Sequence, residues 1–253
     1  MDPHVEATLT AREARSAYPP PSVTRPLSAV EAYRVQDRLR EALVARGERV
    51  VGWKVGFTTR AVQEAFGWME PVCAFLLASG MYGSGAEVPT AGFVNLAVEA
   101  EIAFLLRADL AGPGVTPPRA LLAVEGALPA LELVDFRHHG KPTGTDVIAD
   151  GVYANAVVLG GALTPLAGLD LAREGLVYEH NGAVTATATA AEVMGNPLHS
   201  LAWLANHLGA RGLRLQPGDV VMSGSVSKLL HPKAGDSVRA TFTRLGSVAV
   251  HFV

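Results

Sequence analysis

Glutamates 99 and 101 stand one residue apart in an otherwise apolar run, Val98-Glu99-Ala100-Glu101-Ile102-Ala103-Phe104-Leu105-Leu106. If the run is a strand, its period of two sends both carboxylates to the same side. Like charges brought together in a protein interior require a proton or a cation between them. A third acid, Glu132, lies alone in Leu128-Pro129-Ala130-Leu131-Glu132-Leu133-Val134. Three convergent carboxylates suit a hard divalent ion, Mg²⁺ or Mn²⁺, which takes oxygen ligands and keeps positions open for water. Zinc more often brings His or Cys. The same alternation also fits an edge strand with both glutamates in solvent and Val98, Ala100, Ile102 and Phe104 inward. Favouring the interior, Ala103 and Leu105 continue the glutamates' own face as apolar residues.

Other chemistry-bearing residues are less specific. Arg137 could hold a distal substrate carboxylate bidentately, and equally reads as a surface arginine. His138 and His139 are adjacent, so on a strand they point oppositely and in a loop they are solvated. Ser223-Gly224-Ser225 is a candidate substrate contact. It is not a nucleophile elbow, because the flanking glycines of Gly-x-Ser-x-Gly are not both present. The single cysteine, Cys73, reads as a small packing residue.

The elements that must position these groups are readable in outline. Ser28-Ala29-Val30-Glu31, after the bend at Pro19-Pro20-Pro21, has the form of a capping box. The helix it starts runs to about Arg46, with Ala32, Val35, Leu39, Ala42 and Leu43 forming a buried stripe and Gly47 ending it. Val50 to Phe57 reads as a strand and Thr59 to Phe66 as a short helix. A second short helix, around Pro118 to Glu125, connects the strand of the glutamate pair to that of Glu132. Arg137 to Thr145 has loop composition. Ala154 to Leu159 reads as a strand, and Gly175 to Glu179 with Ala183 to Thr189 form a hairpin about Asn181-Gly182. Asn196-Pro197 opens a helix ending near Gly209 or Gly212. Pro217-Gly218-Asp219 and Ala234-Gly235-Asp236 each lead into a β-branched run, and a hairpin about Leu245-Gly246 closes the chain. The expectation is a mixed α+β protein with a mostly antiparallel core.

Bulk composition excludes several classes. The chain has 253 residues, 49% of them hydrophobic, and a net charge of −3, which gives no electrostatic reason to bind nucleic acid or an anionic membrane. One cysteine precludes an internal disulfide framework and fits a reducing compartment, so a cytoplasmic location is expected. Met1 to Ser16 is mixed and charged, unlike a secretory leader, and no apolar stretch reaches the roughly 20 residues needed to cross a bilayer.

Taken in order, Gly52-Trp53-Lys54-Val55-Gly56-Phe57-Thr58, Glu99-Ala100-Glu101-Ile102-Ala103, Leu128-Pro129-Ala130-Leu131-Glu132 and Leu245-Gly246-Ser247-Val248 resemble the 2-keto-4-pentenoate hydratase and 4-oxalocrotonate decarboxylase family of the fumarylacetoacetate hydrolase superfamily. The likeness runs from about residue 28 to the C-terminus. It implies a β-roll core, here residues 71–253, with a smaller N-terminal helical region, residues 1–70. It also implies homo-oligomeric assembly, association with a related pathway enzyme, and a Mg²⁺ or Mn²⁺ ion on Glu99, Glu101 and Glu132. The family's lysine matches Lys54, which pattern alone would place on the surface. Asp146 and Asp150 occupy the segment of a Val-Ala-Asp-Asn-like motif, with Asp150 as a catalytic candidate and Asp146 as a substrate contact. Ser223 and Gly224 match a Thr-Gly contact to substrate.

Two departures qualify the resemblance. Hydratases carry Pro-Asp-Phe-Gly where this chain has Pro71-Val72-Cys73-Ala74, so the acid that helps handle water is missing and the decarboxylases match better. Gly151 follows Asp150 where Asn is expected, and Tyr153 or Asn155 is a candidate to compensate. The implied activity is a metal-dependent lyase of aromatic meta-cleavage catabolism, acting on short 2-oxo or 2-hydroxy-dienoic acids, with decarboxylation of 4-oxalocrotonate ahead of hydration of 2-hydroxypenta-2,4-dienoate. Lys54 would then move a proton or hold the enolate, if burial lowers its pKa. An acylpyruvate hydrolase on the same scaffold would need a base of its own. The non-enzyme alternative is a ligand-binding or assembly partner of an active relative.

Overall fold

The computed structural model describes residues 2–253. Among these, three of the six α-helices lie in the first 65 residues. Helix α1 (Pro3–Ala14) starts on the Asp2 side chain, and α2 (Ala29–Ala45) starts on the expected capping box, with Ser28 and Glu31 each satisfying the other's free amide. The buried stripe of α2 includes Ala32, Val35 and Leu39. Strand β1 (Val50–Gly56) and helix α3 (Arg60–Ala65) follow, then β2 (Val72–Leu77) and two short strands, β3 (Met81–Gly83) and β4 (Ala86–Val88).

The long strands come next. β5 (Leu96–Leu106) and β6 (Val124–Asp135) are joined through helix α4 (Pro117–Leu122) and pair antiparallel along nearly their whole length. Helix α5 (Gly144–Asp150) precedes β7 (Ala154–Leu159) and the hairpin of β8 (Gly175–His180) and β9 (Ala183–Thr189). Helix α6 (Pro197–Ala210) has Asn196 as its cap and Pro197 at its first position; β10 (Val220–Ser225), β11 (Ser237–Phe242) and β12 (Gly246–Phe252) complete the chain.

These strands form two mixed sheets. The larger has the order β2-β1-β10-β5-β6-β7-β3 and the smaller β4-β12-β11-β8-β9. Most neighbours are antiparallel, but β1–β10, β3–β7 and β4–β12 are parallel. The parallel pair β1–β10 needs close backbone approach, and a Cβ at Gly52 would lie 1.9 Å from the Val220 carbonyl oxygen. The sheets pack through β11 and β12 against β6 and β7. Phe104, Leu131, Leu133, Phe242, Val250 and Phe252 are among the core residues, all nearly without solvent contact. Full burial of such side chains stabilises the fold by about 1.5–3 kcal/mol each.

The expected boundary near residue 70 falls between strands that bond to each other, since β1 pairs with β2 across it and β1 lies inside the larger sheet. Part of the segment expected to be a loop, 137–145, is a loop; its end opens α5, capped by Thr143 and Asp146 in a second capping box. No helix among the described residues is long and apolar enough to cross a membrane.

Candidate metal centre and active site

The β5–β6 register brings the acids together. Glu99 lies opposite Glu132 across the strands, and Glu101 follows two residues on, on the same face. One carboxylate oxygen from each of Glu99, Glu101 and Glu132 lies within 4.8 Å of the others. Glu101 and Glu132 are buried and Glu99 is half-buried. The solvent-edge alternative is therefore excluded by the pairing, because β5 is an interior strand between β10 and β6.

Electrostatics at this centre are those of a site short of positive charge. Burial first, then the Glu132 carboxylate, pushes Glu99 up to about 7. Glu101 goes well above the ordinary carboxylate range through burial and then the charges of Glu132 and Glu99. Lys54, from β1, puts Nζ 2.6 Å from Glu132 Oε1, while neither Glu132 oxygen has a well-aligned hydrogen-bond donor. Burial works against the lysine ammonium, yet Glu132, Glu99 and Glu101 outweigh it and hold Lys54 above its ordinary pKa. The expectation that burial lowers this lysine is thus corrected: the opposing charge is the larger effect. One ammonium for three carboxylates, with buried oxygens left unpaired, fits a hard dication held by Glu99, Glu101 and Glu132.

Strand β10 supplies a fixed dipole. The Gly224 N–H donates to Glu101 Oε2 at 2.8 Å, aiming it through an irregularity in the β10–β5 register. Gly224 has φ +115°, and a Cβ there would meet Thr58 Cγ2 at 2.5 Å, so only glycine fits. Lys54, Glu99 and Glu101 open onto a cavity of about 740 Å³. Its wall is largely apolar, with Val55, Phe57, Val62, Phe66, Val134 and Phe136, while Thr58, Tyr153, Thr185 and Ser225 bring hydroxyls. At its rim stand Glu192 and Lys228, both exposed.

Other sequence-selected residues lie elsewhere. Arg137 has no solvent contact and does not line the cavity; it donates from Nε to Asp150 at 3.1 and 3.2 Å and pairs with Asp135 at 3.4 Å. Asp150 also accepts from the Tyr18 hydroxyl at 2.9 Å. Burial opposes its charge, but Arg137 holds its pKa below the ordinary value. Asp146 accepts from Ser22 N–H and Oγ–H and from Thr143 N–H and Oγ–H, tying the segment before α2 to the cap of α5. Ser223 is buried and does not line the cavity, its carbonyl accepting from Ser200 Oγ at 2.6 Å. The structure therefore joins Lys54, Glu99, Glu101, Glu132 and Gly224, and puts Arg137, Asp146, Asp150 and Ser223 in the packing around them. Val152, Phe136 and Lys228 were not singled out from sequence. No local pattern marks them, because each reaches the cavity through tertiary folding alone.

Fold and site together define a two-sheet scaffold carrying a three-carboxylate centre that could hold a metal ion. The fumarylacetoacetate (FAA) hydrolase C-terminal family profile matches residues 49–253. The chain is 35% identical over 244 residues to 2-hydroxyhexa-2,4-dienoate hydratase of Comamonas testosteroni, covering 95% of this chain and 92% of that protein. It is 34% identical over 224 residues to 4-oxalocrotonate decarboxylase of Pseudomonas sp. CF600, covering 88% and 85%. Among solved structures, 4-oxalocrotonate decarboxylase from Pseudomonas putida G7, complexed with magnesium and adipate, superposes with a TM-score of 0.95 at 29% identity, over 99% of this chain and 96% of that one. The chain belongs to the fumarylacetoacetate hydrolase family, among its hydratase and decarboxylase relatives.

Proposed function

We propose that this chain decarboxylates 4-oxalocrotonate, a six-carbon 2-oxo-enedioate with one carbon–carbon double bond from aromatic meta-cleavage catabolism, with Mg²⁺ on Glu99, Glu101 and Glu132. The observation that carries the reading is the cavity wall. Val72 pairs with Gly56 at the position of the missing acid, and the only cavity-lining carboxylates among the described residues are Glu99, Glu101 and the exposed Glu192. Among the described residues, no buried carboxylate beyond the metal centre lines the cavity to activate a water. A largely apolar wall instead disfavours a carboxylate charge relative to neutral CO₂, which speeds its loss.

When bound, the dication supplies Lewis-acid polarisation of the 2-oxo acid. The bond from C5 to the distal carboxylate breaks, CO₂ leaves, and the electron pair shifts through the double bonds to the C2 oxygen. Lys54 stands beside the carboxylates with an ammonium that donates a hydrogen bond, and then a proton, to that oxygen, giving the 2-hydroxy-dienoate. The apolar side chains of β1, α3 and β6 exclude water from the extended chain. Support also comes from the magnesium and adipate held by the solved relative, since adipate is a six-carbon dicarboxylate.

A second reading is favoured by one observation. Arg137 is buried away from the cavity, so the cations lining it are Lys54 and the exposed Lys228. This suits a monocarboxylate with an uncharged tail, the substrate of a hydratase. Incubation with 2-hydroxymuconate and with 2-hydroxypenta-2,4-dienoate plus Mg²⁺, following CO₂ and product mass, separates the two. CO₂ from the former and no water adduct of the latter is the expected result; a hydrated product without CO₂ establishes the hydratase.

A further inference from the structure

Three consecutive residues after α5 have left-handed backbone: Gly151, Val152 and Tyr153, with φ of 91°, 53° and 55°. Glycine tolerates this, but a β-branched residue at positive φ is an outlier that persists only where its surroundings over-determine it. Here they do. The Val152 N–H donates to the Val147 carbonyl at 2.8 Å, the Tyr153 carbonyl accepts from Asp135 N–H at 3.0 Å, and the Tyr153 hydroxyl meets His138 Nδ1 at 2.8 Å. On one side of the turn sits the buried cluster of Asp150, Arg137 and Tyr18. Arg12, close enough to that cluster for its charge to act on Asp150, donates to the Ala154 carbonyl at 3.1 Å. Neither Asp150 nor Arg137 reaches the cavity, so their charges are unexplained by substrate contact.

What this turn presents is one carbonyl. Val152 O accepts from Lys54 Nζ at 3.2 Å, and the Val152 side chain closes over Gly56, one strand position beyond Val55. An ammonium has three donors. Val152 O takes one of them, Glu132 pairs with Nζ by charge at 2.6 Å, and Lys54 still borders the cavity. We propose that Val152 is a positioning residue: its carbonyl, forced into place by the left-handed turn and the Asp150–Arg137–Tyr18 clamp, aims the Lys54 ammonium at the substrate. The assignment rests on the reading of Lys54 as the group that works on the substrate oxygen. It gives the buried Asp150 and Arg137 a task at a distance, and it explains why residues before α2 are tied to the turn through Tyr18.

The test uses Val152→Gly, which keeps the carbonyl but removes the side chain that packs it over Gly56, and Tyr18→Phe, which loosens the clamp from outside the cavity. Each is made alone and with Lys54→Ala. In Val152→Gly kcat should fall about ten- to a hundredfold, the scale of a small misplacement of a reacting group. KM and the Mg²⁺ dissociation constant, the latter read by calorimetry, should stay within about twofold, well short of the effect on kcat. Tyr18→Phe should lower kcat in the same sense, and neither change should lower the residual rate of Lys54→Ala further, since effects through one group are not additive. Wild-type kcat in either variant while Lys54→Ala is inactive overturns the positioning role and leaves the reading of Lys54 standing. So does a loss that multiplies in full with Lys54→Ala, or one expressed in KM or Mg²⁺ affinity. Full activity of Lys54→Ala overturns the reading on which the assignment rests. If Val152→Gly does not fold, Tyr18→Phe decides alone.

Discussion

Replacing Glu101 by glutamine keeps the shape of the side chain and its acceptor for the Gly224 N–H, 2.8 Å away, while removing one charge from the centre. Metal-dependent turnover should fall by more than the roughly 10–100-fold lost with a residue that only hydrogen-bonds a metal ligand, with far-UV circular dichroism unchanged; wild-type activity would remove Glu101 from the ligand set. Gly224→Ala acts differently, because its Cβ collides with Thr58 and its φ of +115° is closed to alanine. A loss of about 1–3 kcal/mol in unfolding free energy is expected from the strained backbone, measurable by urea denaturation, together with weakened metal binding as Glu101 loses its aim. Among single residues the sequence was most informative where charge met apolar surroundings. Glu99, Glu101 and Glu132 stood out because buried like charges demand an explanation. Arg137 and Asp150 were just as buried and far less readable, since each neutralises the other across an interval that no strand or helix period connects.

At the level of elements, the capping box of α5 doubles as a tie between distant segments, for Asp146 serves both the Thr143 cap and the Ser22 turn. Asp146→Asn should cost about 1–2 kcal/mol, the upper range of a lost cap. Burial opposes the Asp146 charge, but the Ser22 and Thr143 donors outweigh it and set its folded pKa below the unfolded value. The carboxylate therefore contributes stability fully above the ordinary Asp range and loses it as pH falls through the folded pKa. Melting temperatures of wild type and Asp146→Asn should thus differ at pH 7 and converge in strong acid; a constant gap would refute the charge-based account. Helices α2, α3 and α6 and the hairpin β8–β9 were legible from caps, turns and periodicity. β2, β3 and β4 were not: β2 is uniformly apolar with no turn signal of its own, and β3 and β4 are three-residue segments held by partners remote in sequence. Sheet order was equally hidden, because nothing local says that β10 belongs between β1 and β5.

For the whole molecule, metal should act as a structural ligand as well as a chemical one, since the centre couples β5 and β6 and lies against Lys54 of β1. At a free Mg²⁺ concentration of 100 times the dissociation constant the folded state gains about 2.7 kcal/mol, or about 5–10 °C in melting temperature for a chain of this size. Chelation should reverse the shift, and Glu132→Gln should reduce it; a melting temperature indifferent to Mg²⁺ would contradict a shared ion. The position of β10 carries a different consequence. It is the last-made strand of the larger sheet, yet it fills the slot between two strands made long before, β1 and β5. Until residues 220–225 leave the ribosome, β1 and β5 face each other across an open seam whose unpaired edges can recruit a foreign strand. Closing that seam also delivers Gly224 to Glu101, so the metal centre matures only when synthesis is nearly over. A fragment ending at residue 219 should therefore be aggregation-prone, and a peptide spanning the remaining strands should rescue it by dropping into the gap.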